Sequence, residues 1–374
     1  MKNMKIAILS MQRVVNYGSV LQAYSLQKLI EECTGEKPVF IDIEEERTVP
    51  SDRSDLKRKD GGKPMAYPGG LLQKAKRYLM AKGSSRKKKR IYAFMEKQLG
   101  LNKEHNYGRY DWVVIGSDEV FNHRQGVNLQ LHGDVRQADR VLSYAASCGA
   151  ATAEDVSPVH REQVCRALNR LQDISVRDAG TAQYVQALCG RETVRHLDPV
   201  LVGPLHQRHH KKVHLPPYLL VYAYGHRISS EEEIRAIQAF AKKQGLKTVA
   251  VGGSQFWCDY YMAATPMRLL DYFHQAEYVI TDTFHGCVFS VLHKKKFGVL
   301  VRESNRNKIT GLLKDLQLER QQIEEPAQLE QVVTAQIDYD AVEQLLEKER
   351  RRSKAYLRAR LGYNDEAYRE HSPK

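Results

Sequence analysis

The chain contains no C-x-x-C pair, and its six cysteines (Cys33, Cys148, Cys165, Cys189, Cys258 and Cys287) are scattered along its length. That scatter excludes a zinc ribbon or a stapled disulfide framework and predicts a reducing, cytoplasmic setting. Long apolar runs are equally absent: no segment approaches the roughly 20 residues needed to span a bilayer. The opening MKNMKIAILS carries a short strand-like run without a small-residue cleavage site, so no signal peptide is expected. Aromatic motifs of the kind that stack on RNA bases and C-x-x-C…H-x-x-x-H spacings are also missing, which leaves specific nucleic-acid recognition unsupported.

What remains is a chain of 374 residues, 42% of them hydrophobic, enough for two domains with cores of their own. The net charge of +13 is concentrated: residues 51–110 hold 17 Lys/Arg against 5 Asp/Glu, a surplus of 12. This basic insert includes KRK at 57–59, KAKR at 74–77 and RKKKR at 86–90. It reads either as a solvated helix and loop or as a patch drawn to an anionic membrane surface or substrate.

Both halves alternate short β-rich runs with helical spacing. In the first, Lys5–Ser10, Val39–Ile43, Asp111–Ile115, Val141–Ala145 and Ile174–Val176 read as strands. Ser19–Glu32, 158–171 and 178–189 read as helices, with another around 86–98 in the insert. In the second half, Tyr218–Tyr224, Thr248–Gly252, Tyr278–Thr281 and Phe297–Val301 read as strands. Helices are expected at Ser230–Gln244 and Met267–Gln275, after His285, from about Lys308, and on towards a charged tail, ERRRSKAYLRAR. Such alternation predicts an α/β protein: two Rossmann-like domains whose parallel sheets face a cleft. The expected boundaries are 1–203 and 217–325, with C-terminal helices over 326–374. Between the domains lies a polar, proline-flanked linker, GPLHQRHHKKVHLPP. Its histidines (His206, His209, His210, His214) show neither a fixed helical spacing nor a carboxylate partner, so no metal site is expected.

Ligands of open parallel sheets bind beyond the carboxyl ends of the strands. The residues that follow the predicted strands are small, polar or charged: Asn16-Tyr17-Gly18-Ser19, Gly116-Ser117-Asp118-Glu119, Ala146-Ser147-Cys148-Gly149, Arg177-Asp178, Thr281-Asp282-Thr283-Phe284-His285-Gly286, and Arg302 with Asn305 and Arg306. Asn16-Tyr17-Gly18 fits turn chemistry as well as a ligand loop, and Gly116-Ser117-Asp118 fits a helix cap as well as a site. Arg177 ends a buried strand, a costly place for a cation without an anionic partner. His285 stands at a strand-to-helix junction beside Gly286, where it either fills space or acts as an acid/base. Cys148 and Cys287 share the rim without a flanking base and read as packing residues.

Taken in order, NYGSVLQAYSLQ, VVIGSDEVFN, SYAASCG, ISVRD, LDPVL, VITDTFHG and KKKFGVLVRESNRNKITGLL resemble the polysaccharide pyruvyl transferase family, from about residue 4 to 320. The resemblance implies a GT-B-like fold and transfer of a pyruvyl group from phosphoenolpyruvate to two hydroxyls of a sugar, with release of phosphate. It assigns catalysis and donor binding to Arg177 and His285. A basic residue about twenty positions later is matched by Arg306, with Arg302 and Lys308 as rivals. Asn16, Gly18, Asp118, Asp282 and Thr283 complete the expected substrate site. Some branches carry an arginine two residues before the histidine, where this chain has Thr283. Phosphoenolpyruvate is then the donor substrate, no cofactor is required, and the acceptor is a sugar or lipid-linked glycan, met at the inner face of an anionic membrane. Two other readings stay open: a GT-B glycosyltransferase that binds the ribose of a nucleotide sugar through a late acid such as Glu303, and a binding protein without turnover.

Overall fold

The structure, a computed structural model, describes residues 4–52, 71–123, 125–225 and 227–363. The KRK run at 57–59 and the side chains of KAKR at 74–77 lie outside the described residues.

The first half of the chain supplies β1 (Ile6–Leu9), α1 (Tyr17–Thr34), β2 (Val39–Phe40), β3 (Thr48–Val49), α2 (Leu71–Phe94), β4 (Trp112–Asp118), β5 (Val127–Asn128), β6 (Val141–Ala146), α3 (Pro158–Asn169), β7 (Leu171–Val176), α4 (Ala179–Cys189), β8 (Val194–Arg195) and α5 (Pro199–Val202). Six of its strands form a sheet in the order β2-β1-β4-β6-β7-β8, every pair parallel. The strands β3 and β5 pair separately and antiparallel. The second half supplies β9 (Tyr218–Tyr222), α6 (Glu231–Lys243), β10 (Lys247–Val251), β11 (Tyr260–Met262), α7 (Pro266–Gln275), β12 (Tyr278–Thr281), α8 (Phe284–Leu292), β13 (Lys296–Leu300), α9 (Arg306–Asp315), β14 (Gln322–Ile323), α10 (Leu329–Thr334) and α11 (Tyr339–Leu361). Its sheet is again six-stranded and parallel, in the order β11-β10-β9-β12-β13-β14.

The central strands are buried from end to end, as IAIL of β1 and YLLVY of β9 show. Helices cover both faces of such sheets, so their strands read as unbroken apolar runs. Helix boundaries follow cap chemistry. The Asn16 side chain accepts from the Gly18 N–H to open α1, and Gly35 in the left-handed region closes it. Helix α6 begins with Glu231, Glu232 and Glu233 and ends with Lys242 and Lys243, complementing its dipole.

Besides the unexpected short strands β3, β5, β8, β11 and β14, three elements depart from the sequence expectation. Strand β4 runs on through Gly116-Ser117-Asp118, so this triplet ends a strand and caps no helix. In the insert, α2 begins well before residue 86 and packs on the second domain: Lys87 Nζ donates to the Gly252 carbonyl at 2.7 Å, and Arg90 reaches the Ala263 carbonyl. The stretch ERRRSKAYLRAR is the later part of α11, not a free tail. That helix returns to the first domain, burying Leu357 and Leu361 completely, and Arg350 Nε donates to the Leu201 carbonyl at 3.3 Å. The apolar core is accordingly shared across the domain boundary, with Tyr17, Leu21, Leu201, Leu270, Phe284 and Leu357 in one cluster.

Candidate active site

The loop ends of β1, β4 and β7 meet those of β9, β12 and β13, and the cleft between the two sheets gathers most of the rim residues. His285 occupies the first turn of α8, opened by Thr283, whose Oγ1 accepts from the Gly286 N–H at 2.9 Å. The cap explains the His-Gly pair. A Cβ at residue 286 would come 1.9 Å from Thr281 Oγ1, so only glycine lets the turn fold back this tightly on the strand. The His285 ring lies against the amino end of α1, where a Cβ at residue 18 would sit 2.2 Å from its Nδ1. Gly18 is therefore the seat of the imidazole.

On its other side, His285 Nε2 stands 3.4 Å from Asp198 Oδ2, a long contact of the kind that tightens when a site is occupied. Asp198 is fully buried, caps α5 by accepting from the Val200 N–H, and pairs with Arg177 Nη1 at 2.9 Å. Burial opposes its charge, but His285 and Arg177 more than compensate and hold its pKa below the ordinary carboxylate value. The pair makes no hydrogen bond at this distance; a proton on Nε2 directed at Asp198 would leave Nδ1 as the basic nitrogen.

Arg177 leaves the end of β7 with its side chain only 3% exposed. Its guanidinium carbon lies 4.1 Å from the Phe284 ring centroid, and Nη2 is 3.9 Å from Asp118 Oδ1. Nε and Nη2 have no hydrogen-bond partner among the described residues. Burial works against this cation, yet Asp198 and Asp118 keep its pKa above the ordinary value. Buried guanidinium donors without hydrogen bonds are uncommon, and a carboxylate or phosphate is the chemistry that would satisfy them. Asp118 itself sits at φ 71° and accepts from Ser19 Oγ at 2.7 Å.

Asp282 is the second acid of the cleft. It is fully buried, 4.0 Å from Arg227 Nε and 3.9 Å from Arg302 Nε, and its pKa is pushed up to about 7. Desolvation causes the rise; Arg227 and Arg302 only partly offset it.

The basic residues expected after the histidine divide into three. Arg302 is held in a bidentate pair with Glu233 at 2.7 and 3.0 Å. Arg306 is half exposed and faces Glu303, so it stands aside from the buried part of the cleft. Lys308 crosses to Glu119 of the first domain. Glu303 is largely exposed beside Arg306, at the cleft edge. Cys148 and Cys287 are buried thiols whose pKa is raised by burial, Cys148 to about 12, consistent with packing.

Sequence reasoning overlooked Asp198, Tyr224 and Arg227. Tyr224 accepts from Asn16 Nδ2 at 3.0 Å through its hydroxyl and carries the Arg227 guanidinium 5.0 Å from its ring. Both follow β9, and the rule that polar residues collect beyond strand ends would have flagged them.

These features define a two-domain α/β protein whose two parallel sheets face a cleft lined by His285, Asp198, Arg177 and Asp282. The polysaccharide pyruvyl transferase family model matches residues 16–304, and the chain belongs to that family. No curated protein matches it. Among solved structures it is similar to an Arabidopsis thaliana protein, UGT89C1, complexed with UDP-L-rhamnose (11% identity, TM-score 0.48, covering 95% of this chain and 98% of that one). It is also similar to S. aureus MnaA with UDP (12% identity, TM-score 0.46, 97% and 98%) and to the UDP-GlcNAc 2-epimerase of Methanocaldococcus jannaschii (11% identity, TM-score 0.46, 96% and 100%).

Proposed function

We propose that the protein transfers a pyruvyl group from phosphoenolpyruvate to two hydroxyls of a glycan sugar, forming a ketal and releasing phosphate. The observation that carries this reading is the buried Arg177 guanidinium, with Nε and Nη2 making no hydrogen bond among the described residues, beside the His285–Asp198 pair. Phosphoenolpyruvate bears a carboxylate and a phosphate, and a guanidinium fork suits either. One sugar hydroxyl adds to C2 of the enol phosphate while His285 Nδ1 takes its proton and Asp282, half protonated near neutral pH, gives one to the methylene carbon. The second hydroxyl then displaces phosphate at C2, which carries away the remaining proton and closes the ketal. Asp198 orients the imidazole. Every step runs through side chains and the donor substrate, with no cofactor called for.

The six cysteines are all free thiols, which supports a cytoplasmic setting. Among the described residues no helix is long and apolar enough to cross a membrane. A lipid-linked acceptor would therefore be met at the inner membrane face, where the basic insert would be attracted to anionic lipid.

The test is incubation with phosphoenolpyruvate and a panel of glycosides offering paired hydroxyls, read as phosphate release and a new ketal methyl signal by NMR. His285→Ala should cut the rate by about 10²–10⁴-fold. Equal rates in wild type and His285→Ala would overturn the mechanism. Thermal stabilisation by a UDP-sugar and none by phosphoenolpyruvate would favour the glycosyltransferase reading.

A further inference from the structure

The interdomain linker was expected to carry histidines without ligand geometry, but folding brings one of them to two others from distant segments. His210 of the linker meets His274 in the last turn of α7 and His293 at the carboxyl cap of α8, with one nitrogen of each ring within 4.8 Å of the others. His210 and His274 stack at 4.0 Å between centroids and 7° between planes, and His293 stands edge-on to His210 at 4.8 Å. His293 is 8% exposed, and its Nε2 is buried with no hydrogen-bond partner among the described residues. A buried polar nitrogen without a partner is costly and calls for an occupant.

We propose that His210, His274 and His293 bind one divalent transition-metal ion of the zinc class, which fastens the interdomain linker to the second domain. Three imidazoles without a thiolate or a free carboxylate suit Zn²⁺, with Ni²⁺ and Cu²⁺ as competitors. Ligands about 2.0–2.1 Å from a tetrahedral centre lie about 3.3 Å apart, so nitrogens now as much as 4.8 Å apart must close in, and the stacked His210 and His274 rings must turn until their lone pairs converge. His274 is exposed, which leaves the fourth position open to water. Burial lowers the pKa of all three imidazoles, assisted by their mutual proximity and nearby cations, and the neutral ring is the form that offers a lone pair.

The surroundings supply a carboxylate behind the ligands. Asp271 is fully buried, and its Oδ1 lies 3.3 Å from His210 Nδ1. A proton on Nδ1 directed at Asp271 leaves Nε2 for the metal, the arrangement in which a carboxylate orients a ligating imidazole. Arg208 and Arg268 approach the same carboxylate at 2.6 and 2.7 Å, and although burial opposes its charge they hold its pKa down at about 2. Their positive charges are thus spent on Asp271. Arg208 Nη1 also lies 2.9 Å from His210 Nδ1 and gives up that contact when the ion binds.

The site is structural. His293 and His285 sit at opposite ends of α8, about 12 Å apart at 1.5 Å per residue, so the ion does not reach the cleft chemistry. It instead anchors the far end of the helix that presents His285.

The test uses the full chain freed of metal by chelator dialysis and then titrated with Zn²⁺ against a chromophoric chelator. One equivalent should bind and raise the melting temperature, and Co²⁺ should give an intense tetrahedral visible band. His274→Asn changes an exposed ring and His210→Asn a linker ring; each should weaken binding by about 100-fold or more, beyond the 10–100-fold typical of an outer-shell loss. His209→Asn, on the exposed linker, should bind as wild type. Equal affinity and stoichiometry in wild type, His210→Asn and His274→Asn would overturn the proposal, as would the absence of a tight equivalent in wild type.

Discussion

At the scale of single residues, Asp282 is the group whose titration is open to direct measurement. Its folded pKa, pushed up to about 7, lies above the ordinary 3.8, so the native state favours the neutral acid. The native state therefore binds more protons than the unfolded chain between these values, and stability falls as pH rises through that window. Asp282→Asn removes the penalty. Its melting temperature relative to wild type should climb between about pH 4 and pH 7, and a difference independent of pH would refute the assignment. Gly18 offers a second prediction. Alanine is the better helix former by about 1 kcal/mol, yet its Cβ would enter the space of His285 Nδ1. Gly18→Ala should keep its melting temperature while turnover drops by about 100-fold, the size of loss expected when a reacting group is displaced by an ångström.

At the scale of elements, the strand–helix alternation was legible because buried parallel strands are continuous apolar runs and because caps such as Asn16 and Gly35 stand in the sequence. The short edge strands were not. Val194–Arg195 is exposed at both residues, and Gln322–Ile323 and Tyr260–Met262, of 2 and 3 residues, are too short for a periodicity to mark them. Of the site, Arg177 and His285 could be read from their places at strand ends. Asp198 could not: before Pro199 it looks like an ordinary cap, and only the packing of α5 against α8 shows that it also serves Arg177 and His285. The same limit hid the histidine triad, whose members are far apart in the chain. Arg306 shows the converse, since its spacing after the histidine matched expectation while its side chain lies at the cleft edge.

At the scale of the whole molecule, two ion pairs join the domains along one side of the cleft, Lys308 with Glu119 and Arg195 with Asp315. The first is nearly buried, and breaking it strands a carboxylate in poorly solvated surroundings. Lys308→Met should loosen domain closure, and limited proteolysis within the 203–217 linker should then be faster than in wild type; an unchanged cleavage rate would show that the shared apolar core alone holds the domains. Helix α11 is the other tie. Leu357 and Leu361 are fully buried where it packs on the first domain, and each leucine-to-alanine change should cost about 2–5 kcal/mol, measurable by denaturant unfolding. A loss well below 1 kcal/mol would mean that the helix is only loosely seated.

The same return of α11 orders events on the ribosome. Helix α11 begins 137 residues after α5 ends, and at about 5–20 residues per second this interval lasts on the order of ten seconds. During that time the first domain has its sheet but not its last covering helix, and the apolar surfaces of α1 and α5 that α11 will cover stand open to solvent. The two domains are thus not completed in the order in which they are synthesised: the first to emerge is finished only after the second, and the nascent chain needs a holding chaperone, or a fast-folding second domain, to cover the gap.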